Sequence, residues 1–293
     1  MNEGGDRVAF AAFAVGSVHA GGNAVGVRFS NRELDPLWGA GFRCALAAGL
    51  LLAVMLVLGL EVPRGRALVG AAVYGALNFG GAFGLAYYAL DHLHAGFGQL
   101  VIALVPLATL LLAVGERQEG LHAAALAGAV AALAGIAVMS REPLQGDVPG
   151  LAILAAVGSA VCFAQAAIAV RWFPRVHPVT LNAVGMAVGA LLLLAGSIVA
   201  RESLALPERA ATWLAVSYLV VVGSAVVFVL YLVVLRYWAA SRAAYTFVVI
   251  AVVTLALSVW LDDEPVGAEL LLGGAMLLAG VYVGALRGSD AAR

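Results

Sequence analysis

Lysine is absent from this chain: all 16 of its basic residues are arginine, and charged side chains of both signs make up only 11% of 293 residues. A water-soluble domain covers its surface with roughly a quarter charged residues. That composition, with a formal net charge of -1, excludes a soluble enzyme and offers nothing for nucleic acid to bind. Cysteine is nearly absent too. Cys44 and Cys162 both fall in apolar runs far apart in the chain, so no disulfide is implied, and two thiols alone do not make a zinc site. No metal or cofactor is expected. Acids are also missing from the apolar runs. Every Asp and Glu sits in a connection or within about a turn of a run's end, so the chain lacks the buried carboxylate with which proton-driven exporters of cationic drugs alternate drug and proton.

What the chain has instead is apolar length. It is 63% hydrophobic with mean hydropathy +1.02, and a run of about 20 apolar residues spans a bilayer. Ten such runs are predicted, at 8–27, 36–59, 67–89, 94–114, 120–139, 150–170, 178–200, 211–234, 239–261 and 267–286. The longest polar connection, from Ser140 to Gly150, separates the first five from the last five. The first run resembles a signal peptide in length, but the preceding MNEGGDR carries two acids and one Arg, the wrong charge for a signal, so it is expected to remain. With the N-terminus placed in the cytoplasm, ten arginines fall inside and five outside, Arg43 apart. That satisfies the positive-inside rule and puts both termini in the cytoplasm of a multi-pass inner-membrane protein. Trp38, Trp213 and Trp260 then mark the outer interface, and Trp172 and Trp238 the inner one.

The second half repeats the first. Pro36–Leu50 aligns without gaps onto Pro178–Leu192, Tyr74 and Tyr87 align with Tyr218 and Tyr231, and Arg28 and Arg171 each close the first run of a half. Two units of five spans must face opposite ways, and inverted repeats are the architecture of alternating-access transporters. The expected fold is an all-α membrane protein of ten transmembrane helices in two inverted five-helix repeats.

HAGGNAVGVRF (19–29), FRCALAAGLLL (42–52) and above all YYALDHLHAGFGQLVIALVPLATLLLAVGER (87–117) resemble EamA-type members of the drug/metabolite transporter superfamily. The resemblance implies a first EamA repeat over 1–139, a linker at 140–149, a second repeat over 150–287 and a cytoplasmic tail at 288–293. It also implies an exporter of amino acids or other small metabolites, with spans five and ten packed outside the transport pocket. The second half departs from the family pattern: Ala251 stands at the counterpart of Pro106, and Asp262-Asp263-Glu264 replaces a single Glu.

Polar side chains inside spans are costly unless they face a cavity or a partner. Arg43 lies seven residues past Pro36, about 10 Å into its span, and its repeat partner is Gly185. It either receives a substrate carboxylate or reaches back to the interface. His19 and Asn23 share one face of the first span, as residues four apart do. Tyr74, Asn78 and Tyr88 form a stripe in the third span, Gln99 lies with Pro106 in the fourth, and Tyr218 and Tyr245 stand in the eighth and ninth. Gln165 and Asn182 sit toward inner ends, where an inner gate is expected. These eleven are the substrate-binding candidates; inter-helix hydrogen bonding is the competing role for each. The expected pocket is small, since each span offers only one or two polar groups. GxxxG pairs at Gly22/Gly26, Gly80/Gly84, Gly185/Gly189 and Gly280/Gly284 suit close helix packing, and the last is a possible dimer contact.

An intramembrane protease needs paired aspartates, a HExxH helix or a Ser–His pair. Ser17 and His19 are two apart on one helix and diverge, and neither of the other sets occurs, so the protein is not expected to be an enzyme. The expected function is a secondary transporter or facilitator exporting small metabolites, foremost amino acids, by alternating access. The alternatives are another small polar metabolite, such as a nucleobase or organic anion, or a channel-like or non-transporting membrane protein. Its partners are a small solute and the lipid bilayer, as a monomer or weak homodimer. A cytoplasm-active fluorescent reporter fused after Arg293 will fluoresce and a periplasm-active phosphatase there will stay inactive; the opposite pattern would invert the orientation.

Overall fold

The computed structural model describes residues 3–115, 123–140, 149–227, 230, 233–234 and 245–287. Every regular element among them is helical. The helices are α1 (Glu3–Asn31), α2 (Pro36–Val57), α3 (Arg66–His92), α4 (Ala95–Gly115), α5 (Ala123–Met139), α6 (Gly150–Ala169), α7 (Pro178–Ala200), α8 (Ala210–Val226), α9 (Tyr245–Leu261) and α10 (Ala268–Val281, extended by a π-helical turn at Tyr282–Arg287). Six of them, α1–α4, α6 and α7, are long and apolar enough to cross a membrane, and α5, α8, α9 and α10 are shorter apolar helices over the described residues. Apolar side chains cover much of the outside: Val57, Val199 and Leu56 are 86%, 83% and 82% exposed. Water does not tolerate such a surface, and lipid does.

The helices start and break where the residues dictate. Pro36 and Pro178 open α2 and α7 at the first turn, where a missing N–H costs nothing. Pro106 interrupts α4 at Ala103–Leu104, where the amides of Ala103 and Leu104 turn back to Leu100 and Val101 at 3.2 and 3.1 Å; a proline lacks the donor and crowds the carbonyl four residues earlier. Arg201 ends α7 at φ 60°, and that left-handed turn swings Glu202 back toward the start of α2. Two π-helical turns, Ala76–Gly81 in α3 and Val221–Val226 in α8, occur just after the aligned residues Tyr74 and Tyr218. Each inserts one extra residue into its helix.

The most extensive packing joins α5 to α10 and α2 to α7, followed by α3 on α6 and α7, with α1 on α9 and α4 on α6 next. Glycine sets the closest approaches. A Cβ on Gly135 would lie 2.5 Å from the Gly273 carbonyl oxygen, and one on Gly280 would lie 2.6 Å from the Ala132 amide nitrogen. Gly280 and Gly284 are therefore spent against Gly128 and Ala132 of α5, within the chain, which corrects the expectation of a dimer contact there. The other three pairs also pack helices together: Gly22 and Gly26 on Tyr218 and Leu219, Gly80 and Gly84 on Leu192 and Leu193, Gly185 and Gly189 on Tyr74 and Phe79. Gly135→Ala will lower stability by about 1–3 kcal/mol, the cost of overpacking. Gly49→Ala, where an added Cβ meets nothing within 4 Å, will raise it by about 0.5–1 kcal/mol. Thermal unfolding in detergent measures both.

Candidate functional site

A cavity of about 1350 Å³ runs between the two halves. Its lining comes from α1–α4 and α6–α9, with no residue of α5 or α10 among the described lining side chains. The mouth lies among Ala67 and Gly70 at the start of α3 and Arg171, Phe173, Pro174 and Arg175 between α6 and α7. The blind end is formed by Asn23, Arg43, Tyr87, Leu90 and Gly223. With its open vestibule the cavity is larger than the small pocket expected from the count of polar groups.

Arg43 is the centre of the blind end. It is 3% exposed, and its guanidinium lies 4.8 Å from the centre of the Phe83 ring, a cation–π contact. Its Nη2 donates to the Gly223 carbonyl at a long 3.5 Å, and its Nε is buried with no acceptor. No carboxylate lies among the described lining residues. Asn23 donates to the same Gly223 carbonyl at 3.4 Å, which leaves its Oδ1 buried without a partner. The carbonyl that α1 and α2 both reach lies within the π-helical turn of α8, where the widened helix loosens its own hydrogen bonding. A Cβ on Gly223 would collide with the Asn23 amide oxygen and lie 3.3 Å from Arg43 Nη2, so the cluster closes around a glycine. Chemically, it presents a desolvated cation with spare donors beside a spare acceptor.

Of the eleven candidates, Asn23, Arg43, Tyr74, Asn78, Gln99 and Asn182 line the cavity. The Tyr74 hydroxyl donates to Asn182 Oδ1 at 3.2 Å, and the Asn182 amide nitrogen to the Pro178 carbonyl at 3.0 Å, which joins α3 to α7. Asn78 lies in the π-helical turn and Gln99 in the first half of α4, both buried. The other described candidates lie elsewhere. His19 is off the lining stripe Ser17, Ala20, Ala24, Val27 of α1; its Nδ1 bonds the Val15 carbonyl at 2.7 Å, and its own carbonyl accepts from the Tyr218 hydroxyl. Tyr218 is thus engaged with the α1 backbone over Gly22. Gln165 is two residues from Phe163, which does line the cavity, and two residues turn a side chain to the other face. The side chain of Tyr245 lies outside the described residues.

Tyr88 misses the cavity for a reason in the backbone. Spacing along an unbroken α3 continues from Tyr74 and Asn78 toward Tyr88. The extra residue of the π-helical turn shifts the later face by one, so the lining continues through Phe83, Ala86, Tyr87 and Leu90. Tyr88 instead packs on His92, ring centroids 4.9 Å apart. Tyr87 was missed for the same reason. Thr246 of α9, its hydroxyl buried without a partner, and Phe83 also line the cavity; an inward hydroxyl or ring on an apolar helix leaves no periodic signal.

Beyond Arg43 the two repeats meet through apolar packing, as of Phe42 on Trp213 with ring centroids 6.2 Å apart, and through a set of carboxylates. Glu202 accepts from the Leu37 and Trp38 amides at 3.1 and 2.7 Å, at the start of α2. Glu264, 4% exposed, accepts from the Gly96 and Phe97 amides at 2.9 and 2.9 Å, at the start of α4. Glu33 accepts from the Glu208 and Arg209 amides at 2.8 and 3.2 Å, at the start of α8. The Thr212 hydroxyl, ahead of those amides and the Arg209 charge, holds the Glu33 carboxyl below its ordinary range. A depressed value means that this contact persists above the ordinary range and is lost only as pH falls through the lowered one. Asp35 accepts from the Ser203 amide at 2.6 Å. Asp262, 6% exposed, pairs with Arg28 and, at 2.8 Å, with Arg32. These acids do lie at helix ends, as expected, but two of them are buried.

The EamA-like transporter family matches this sequence twice, over residues 7–141 and 150–285. The chain belongs to the EamA family of membrane transporters. It is 30% identical over 271 residues to a protein of Escherichia coli K12 described as the uncharacterized inner membrane transporter YedA, covering 88% of this chain and 84% of that one. The same-named proteins of the O6:H1 and O157:H7 strains match equally. A crystal structure of a protein 20% identical in sequence superimposes with a TM-score of 0.68 over 100% of both chains, a likeness of fold. Its apolar helices make this EamA protein a multi-pass membrane protein, and the cavity lies between its two family repeats.

If Arg43 is held for a ligand rather than for the fold, removing its charge relieves an unpaired buried ion. Arg43→Met will leave thermal stability unchanged or raise it. A loss of more than about 3 kcal/mol, the penalty for breaking a buried pair, would make Arg43 a structural tie.

Proposed function

We propose that this EamA protein is a secondary transporter that exports small metabolites, foremost amino acids, across the cytoplasmic membrane by alternating access. The observation that carries the proposal is Arg43: a desolvated guanidinium without a counter-ion among the described residues, at the blind end of a cavity open at its other end. Intramembrane charges of that kind mark substrate paths. A carboxylate would take the free Nε edge in place of the long bond to Gly223, and the Asn23 oxygen would accept from an ammonium. Asn78, Gln99 and Tyr74 supply further polar contacts along the wall, and Phe83 an apolar one.

The two family repeats would run in opposite directions through ten spans. The pairing of α2 with α7 and of α5 with α10, and the partnership of α1 with α9 matched by that of α6 with α4, support a two-fold relation between halves. The arginine distribution supports a mouth on the cytoplasmic side. Arg171 and Arg175 at that mouth, with no lining acid among the described residues, favour an anionic or zwitterionic solute over a cation, so an organic anion is the second reading. A continuous channel is disfavoured by the closed end.

The test is uptake of a panel of radiolabelled amino acids into liposomes, with and without a proton gradient. Saturable uptake of some members, abolished in Arg43→Ala, is expected. Uptake of organic anions alone would select the second reading, and flux linear in concentration would defeat the carrier. Cross-linked cysteines across the closed ends of α2 and α8, which belong to opposite repeats and meet at Phe42 and Trp213, should stop flux, and undiminished flux would contradict alternating access.

A further inference from the structure

We propose that Glu33, Glu202 and Glu264 are the gating residues of transport: each holds the blind end of the cavity shut by clasping a helix start of the opposite repeat, and each must release for that end to open. The inference rests on the alternating-access reading above.

Three features distinguish these contacts from ordinary helix capping. A cap normally comes from the residue just before the helix. Here none does: Glu33 follows α1 and holds α8, Glu202 follows α7 and holds α2, Glu264 follows α9 and holds α4. Each clasp therefore spans the boundary between repeats, and they cross it in both directions. The second feature is placement. Among the described residues, every carboxylate bonded to the opposite repeat lies at the blind end, including Asp35 on Ser203 and Asp262 on Arg28 and Arg32, while the mouth is lined by Arg171 and Arg175. The third is geometry. Glu202 and Glu264 each take two successive amides with both oxygens, at 2.7 to 3.1 Å. That arrangement adds the favourable field of the helix N-terminus to charge-assisted hydrogen bonds.

Such contacts suit a gate better than apolar packing does. Leucine zippering at a blind end would expose apolar surface to water on opening. A carboxylate and two backbone amides, once parted, are each hydrated, so both states are satisfied and the switch is between protein and water partners. The rigid elements joined by the clasps are those that carry the site: α1 carries Asn23, α2 Arg43, α4 Gln99 and α8 Gly223. Release at the blind end thereby moves the walls of the cavity.

The experiment uses the full chain with Cys44→Ala and Cys162→Ala, and a reporter Ala86→Cys on the cavity wall. A membrane-impermeant maleimide is applied to intact cells and to inside-out vesicles. The parent should be labelled fast from the mouth side and slowly from the blind side. Glu202→Gln should raise labelling from the blind side about tenfold, the scale of one charge-assisted cap, and Glu33→Gln, at an exposed carboxylate, should raise it less, each with a matching fall at the mouth. Glu202→Asp should restore the parent pattern. Labelling of the parent and of every variant from the mouth side alone, however long the exposure, would defeat alternating access and the gate together. Slow blind-side labelling of the parent that the substitutions do not accelerate would defeat the gate and leave alternating access standing. Should the glutamine variants fail to fold, Glu33→Cys with Glu208→Cys provides the second arm. Oxidising that pair should stop transport while sparing mouth-side labelling, and transport undiminished in the cross-linked protein would overturn the proposal.

Discussion

An arginine buried at the end of a membrane cavity constrains everything around it. Hydrocarbon offers no hydrogen bonds and no counter-ions, so each polar group inside it must be met by protein, by water or by ligand. Around Arg43 the protein answers incompletely: one long bond to Gly223, the neighbouring Tyr87 hydroxyl, one aromatic face and no acid among the described residues. The surrounding features follow from this. Gly223 must lack a side chain to admit Asn23 and Arg43, the π-helical turn brings its carbonyl within reach, and the cavity brings water or solute to the remaining donors.

The two ends of the molecule solve the same problem differently. At the blind end, every helix start from α2, α4 and α8 presents unpaired amides, and acids from the other repeat satisfy them. The bonds of Glu202 and Glu264 are strengthened by partial dehydration, whereas those of Glu33 are exposed. At the mouth the walls part instead, and arginines face the opening. One end is held by carboxylate contacts that water can replace beside apolar packing such as Phe42 on Trp213, and α5 and α10 are held to each other by close backbone contacts.

The π-helical turns connect sequence to site. They fall at matching places in the two repeats, next to Tyr74 and Tyr218, yet the tyrosines do unlike work: Tyr74 bonds a side chain on the cavity wall, and Tyr218 bonds the α1 backbone away from it. Duplication supplied two copies of one helix, and divergence at Gly185 and Arg43 gave only one of them a charge. Similar helices with unlike side chains leave, among the described residues, a charge at Arg43 and none at its counterpart Gly185.

The sequence by itself determined the class of protein, because apolar length and scarcity of charge admit few solutions in a bilayer. It also determined the repeats, since aligned prolines and tyrosines survive as letters, and it picked out Arg43, Asn23, Asn78 and Gln99 because polar residues are conspicuous in apolar runs. Tertiary structure decided which of those face the cavity. Tyr88 gave way to Tyr87 because one residue inserted at Ala76–Gly81 rotates the rest of α3 by about 100°, and a π-helical turn has no sequence signature. His19 turned aside because a face four residues wide does not say which neighbour it meets. The clasps of Glu33, Glu202 and Glu264 were invisible for a related reason: an acid at the end of a helix reads as a solvated terminus, and only the fold brings it to the amides of a helix some 170 residues away.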